Sequence, residues 1–83
     1  MKLRHDCNVV SMRGKHLLTL PDGRSFEVNE SFAFLWKVAS DAGEFTDETL
    51  ADAIFYEYGI SPSDASAEAA MTIELWQQYS LIE

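Results

Sequence analysis

The sequence predicts an α+β domain, a three-stranded antiparallel β-meander followed by a three-helix bundle, in the arrangement of a winged helix-turn-helix. Three observations predict it. Short apolar runs separated by tight-turn signals fill the first 28 residues. The apolar spacing then switches from period two to helical spacing across "FEVNESFAFLWKVA" (26–39). Beyond that point Gly43, Thr46, Gly59 and "SPSD" (61–64) mark helix ends and starts at intervals of one short helix.

"CNVVSM" (7–12) is the first strand, and "RGK" (13–15) the first turn, where Gly14 can take a positive φ. "HLLTL" (16–20) is the second strand, with His16, Leu18 and Leu20 on one face and Leu17 and Thr19 on the other. "PDG" (21–23) supplies the next turn: Pro21 presets φ, and Asp22 and Gly23 complete the turn chemistry. "RSFEV" (24–28) is the third strand. Two short turns in succession make the pairing antiparallel. Asn29 is the N-cap of the first helix, whose buried stripe is Phe32, Leu35, Trp36 and Ala39 and which ends near Gly43. Thr46 caps the second helix, with Asp47 and Glu48 in its first turn, a stripe of Leu50, Ile54, Phe55 and Tyr58, and Gly59 as its stop. Ser61 caps the third, with Pro62 at its first position and Asp64 reaching back toward the cap. That helix runs to about Tyr79 around a core stripe of Ala69, Ile73 and Trp76. An isolated meander cannot bury its apolar face, so the sheet must pack on the helices in a single domain spanning 1–83.

Composition narrows the function. No run approaches the roughly 18 apolar residues of a membrane span. The basic N-terminus has no apolar run behind it, as a signal peptide would. The lone Cys7 fits a reducing cytoplasm, where we expect the chain to reside. The net charge of −8 is uneven: the first 37 residues hold all six Lys and Arg and carry +2, and residues 38–83 carry −10. Those acids either keep a small apolar protein soluble or favour a basic or neutral partner over nucleic acid. No catalytic constellation is present. His5, Cys7 and His16 lack the fourth ligand and the spacing of a zinc site, and Cys7 in a strand is read as a small buried hydrophobe. There is no glycine-rich phosphate loop or nucleophile elbow. The expectation is no enzyme, no metal and no cofactor.

Two features are left over. The third helix has one flank of Ser66, Ala70, Glu74 and Gln77, which suits water, and another of Glu68, Met71, Thr72, Leu75 and Tyr79. The second flank is either a contact surface or a cover for the sheet and chain terminus. The third strand (Arg24, Ser25, Phe26, Glu27, Val28) is an edge with no proline to blunt it, a template onto which an extended peptide can add. A proline at Ser25 or Glu27 removes a backbone donor, and one of the two is expected to be the outward one.

The chain resembles the PqqD-like proteins, the peptide-recognition domains of ribosomally made peptide natural products. "VNESFAFLW" (28–36) is similar to the family's strand-to-helix signature, and "EAAMTIELWQQYSLI" (68–82) to its closing helix. Phe32 and Ser80 depart from it, each standing where the family commonly has Gly. The resemblance implies a cleft between the third strand and third helix that binds the leader of a precursor peptide. It also implies presentation of that peptide to a radical-SAM enzyme, protease or cyclase, in quinone-cofactor or lasso-type biosynthesis. The competing reading is a winged-helix nucleic-acid-binding regulator, although the third helix has no Lys or Arg to meet phosphates.

Overall fold

The computed structural model describes residues 1–83. The sheet has the order β1–β2–β3, from β1 (Asn8–Met12), β2 (Lys15–Thr19) and β3 (Ser25–Val28), all antiparallel. Arg13 and Gly14 both take positive φ between β1 and β2, the two-residue turn whose twist suits a hairpin. The β2–β3 turn is closed by the Gly23 N–H donating to the Leu20 carbonyl, with Gly23 at φ 89°. Val9, Leu18 and Phe26 stand opposite one another across the three strands, so they share a face. Leu18 is buried in the core on that face, and Val9, Leu20 and Val28 pack partly buried against it.

The helices are α1 (Glu30–Ala42), α2 (Asp47–Tyr58) and α3 (Pro62–Gln78). Their caps are the ones the sequence marks. Asn29 Oδ1 accepts from the Phe32 N–H at 2.8 Å, starting α1 one residue after β3 ends. Thr46 and Thr49 bond reciprocally at the start of α2. At α3 only half of the expected exchange forms: the Asp64 N–H donates to Ser61 Oγ at 3.1 Å, and the Asp64 carboxylate makes no return bond. The stripe of α2 is also narrower than expected. Leu50 and Ile54 are buried, but Phe55 and Tyr58 are exposed, because α3 covers only one side of the short helix.

Trp76 organises the core. Its ring, fully buried, meets Trp36, Phe45 and Phe32 edge-on, with centroids 5.4, 6.0 and 5.8 Å away. Phe32 also stacks on Trp36 at 6.0 Å, so the bulky residue at this position fills space between α1 and α3. Such aromatic pairs add about 0.5–1.5 kcal/mol each beyond area burial, which ties the strand-to-helix junction firmly to the bundle.

The end of α3 explains Ser80. The Leu81 N–H donates to the Trp76 carbonyl at 2.8 Å and the Ser80 N–H to that of Gln77 at 3.1 Å, a Schellman motif with Ser80 at φ 57° where glycine is the usual residue. Leu81 is thereby buried in the core cluster that contains Trp76. A further pairing joins the chain ends: Leu3 bridges Ile82 and Lys2 bridges Glu44, and the Phe45 N–H donates to the Met1 carbonyl at 2.8 Å. The N-terminal segment is thus a strap between the α1–α2 loop and the tail behind α3.

Candidate functional site: the cleft between β3 and α3

Which backbone groups of β3 are free follows from one hydrogen bond and the register. The Leu20 N–H donates to the Arg24 carbonyl at 2.9 Å, so Leu20 and Arg24 form a hydrogen-bonded pair. Alternation along the register then makes Leu18–Phe26 and His16–Val28 bonded pairs as well. Phe26 and Val28 therefore spend their N–H and C=O groups on β2, while Ser25 and Glu27 direct theirs away from the sheet. The expectation that only one of these two points outward is corrected: residues two apart in a strand share a side.

The cleft side of β3 is apolar and uncovered. Phe26 lies beside buried Leu18 on the sheet's inner face, yet is 48% exposed. Arg24, just before the strand, holds its guanidinium 5.8 Å above the Phe26 ring, a cation–π arrangement. Arg24 is itself anchored: its Nε donates to Asp22 Oδ2 at 2.6 Å and its backbone N–H to Oδ1 at 3.0 Å. These bonds, the backbone one first, hold the Asp22 carboxyl below the usual carboxylate range. Ser25 Oγ meets Thr19 at 3.4 Å, Glu27 faces Lys15 at 3.9 Å, and Val28 is half-buried.

The opposite wall is the second flank of α3. Met71, Leu75 and Tyr79 are 65%, 40% and 68% exposed, so they cover neither the sheet nor the terminus. Glu68 is exposed, and its carbonyl accepts from Thr72 Oγ1 at 2.9 Å, which turns that hydroxyl toward the helix. The two walls meet at both ends of the cleft. Asn29, at the end of β3, shares a recess of about 420 Å³ with Glu68, Thr72 and Leu75, floored by Phe32, Leu35, Ile54 and Ile60. Arg24, at the start of β3, shares a smaller recess with Ser80, just past the end of α3. Strand and helix therefore run in opposite senses along a common trough. Roughly 17 Å of extended chain from Arg24 to Asn29 faces about 12 Å of chain from Thr72 to Ser80, at helical rise.

The structure thus brings Arg24, Glu68, Thr72 and Leu75 to the trough's two ends and leaves Phe26 open between them. Met71 and Tyr79 are exposed and line neither recess. The floor residues Ile54 and Ile60, with Tyr58 at the side, come from the end of α2 and the loop after it, outside the strand and helix flank that the sequence pattern marks. The only signal for them was the apolar excess around Gly59. A separate recess, of about 500 Å³ between the starts of α2 and α3, is lined by Asp47, Glu48, Asp52, Phe55 and Tyr56 among others and shares no residue with the trough.

Outside the trough, Cys7 is buried just before β1, and desolvation first, then the nearby Asp6 charge, pushes its thiol up, which disfavours the thiolate. His5 pairs with Glu83 at 3.3 Å and His16 with Ser11 at 2.6 Å, and no three His, Cys, Asp or Glu side chains gather as metal ligands would. No helix is long and apolar enough to cross a membrane.

Fold and trough together define a small α+β domain, a meander backed by three helices, whose edge strand is open beside an uncovered helix flank. No family model matches the chain, and no curated protein matches it in sequence. Two solved structures share the fold. TbiB1 in complex with the TbiA(beta) leader peptide is 17% identical, with TM-score 0.82 over 100% of this chain and 95% of that one. Lasso peptide synthetase B1 complexed with the leader peptide is 18% identical, with TM-score 0.74 over 94% of this chain and 91% of that one.

Proposed function

We propose that the chain is a non-catalytic adaptor that binds the leader of a ribosomally made precursor peptide and presents that peptide to a modifying enzyme. The observation that carries this reading is the open edge of β3, with two outward backbone positions, facing an uncovered apolar flank of α3. An extended leader adds a fourth strand at Ser25 and Glu27, and its alternate side chains enter the trough over Phe26, Leu75 and the recess beside Asn29. The rigid Asn29–Trp36 junction keeps the edge in place, which lowers the ordering cost of docking. Both solved neighbours carry leader peptides, one of them a lasso peptide synthetase protein, which supports a precursor leader as the ligand and a lasso-type pathway. Tethering the leader raises the concentration of the core peptide at that enzyme.

Nothing favours the nucleic-acid reading. The exposed side of α3 shows Glu68 and Glu74 and no Lys or Arg, so a phosphate backbone would be repelled.

The test is calorimetry with the leader of a precursor peptide encoded beside this chain. One-to-one binding in the micromolar range or tighter, with the peptide's mass unchanged, is the expected result. Absence of heat at high micromolar leader, or a gel shift with duplex DNA in its place, contradicts the proposal.

A further inference from the structure

Resting on the leader-binding reading, the register of β3 adds a requirement on the peptide itself. A residue laterally opposite a strand residue projects from the same face, whichever way the added strand runs. The leader residue beside Phe26 therefore points into the trough, and its immediate neighbour, beside Glu27, points to the sheet's other face.

The two charged side chains of this edge are in different states. Arg24 is already paired within the molecule, its Nε donating to Asp22 Oδ2 at 2.6 Å. Glu27 is not: Lys15 stands 3.9 Å away, at the limit of an ion pair, and both side chains are more than half exposed. Glu30 adds a second carboxylate to the recess that Glu27 and Lys15 line. The charge left for an incoming strand on the outer face is negative, and like charges directly opposite in a sheet are disfavoured. We propose that Glu27 is a specificity determinant, selecting leaders in which a Lys or Arg immediately adjoins the apolar residue seated over Phe26.

Selection from an mRNA-displayed library of random 15-residue peptides tests this on the full chain. Parent protein should enrich an apolar position with an adjoining Lys or Arg, the basic residue by about two- to fivefold, the discrimination a cross-strand charge pair supplies. Glu27→Gln should keep the apolar position and lose the basic one. Glu27→Lys should replace it with Asp or Glu, a reversal that mere loss of packing cannot produce. Glu27 is exposed, so both variants fold. An apolar consensus whose neighbour is indifferent to residue 27 overturns the inference and leaves the adaptor reading standing. Failure of parent and variants alike to enrich any consensus overturns both.

Discussion

Along α3, Ala65, Ala69, Ile73 and Trp76 are at most 5% exposed, whereas Met71 and Leu75 on the same helix, and Tyr79 at its C-cap, are exposed by 40% or more. One face is closed against rings from α1 and the α1–α2 loop, and the other looks across a trough to an unpaired strand. The same residue types serve stability on one face and remain available for binding on the other. What separates them is angular placement: Met71 and Leu75 alternate along the helix with Ala69, Ile73 and Trp76 but point away from the core.

Three substitutions sharpen or break that contrast. The largest effect belongs to Trp76→Ala, which removes a fully buried ring from contact with three others. It should cost about 3–5 kcal/mol of stability, a large share of the 5–15 kcal/mol typical of a domain, and urea unfolding measures it. An unchanged midpoint would mean that the two faces are not divided as described. Leu75→Ala should act in the opposite compartment. Its stability should fall by about 1 kcal/mol or less, while leader affinity drops by about 1–3 kcal/mol. A folded variant that binds like the parent would turn this flank into ordinary surface. The smallest effect concerns the motif that ends α3. Because Ser80 holds φ 57°, Ser80→Gly should relieve backbone strain and raise stability by roughly 1 kcal/mol, with leader affinity unchanged. A loss of stability would show that the serine side chain contributes something its position does not reveal.

Most of this fold was legible in the sequence because local chemistry and global packing agree. Asn29, Thr46 and Ser61 cap the helices they were assigned to, and Gly43 and Gly59 end them at positive φ. The flank of α3 was legible too, since Leu75 and Tyr79 lie off the stripe that Ile73 and Trp76 define. Long-range facts were not. The bridge from Leu3 to Ile82 has no turn or periodicity behind it, and Phe55 and Tyr58 share helical spacing with Leu50 yet line open recesses beside α3 instead of being buried under it. The recess beneath Leu75 draws Ile54 and Ile60 from a different helix and loop, which no single segment's pattern encodes. At β3, period two alone places Ser25 and Glu27 on one side, and the Leu20–Arg24 bond then decides that this side is the open one.

Pairing of a peptide with β3 through Ser25 and Glu27 is read out by amide hydrogen exchange at those two residues. In the free protein the Ser25 and Glu27 N–H groups should exchange rapidly, while those of Phe26 and Val28, bonded to β2, are slow. Saturating the protein with a leader peptide should slow exchange at Ser25 and Glu27 by at least tenfold and leave Phe26 and Val28 little changed. Binding of that peptide with Ser25 and Glu27 still exchanging at their free rates would mean that the peptide does not add to this edge.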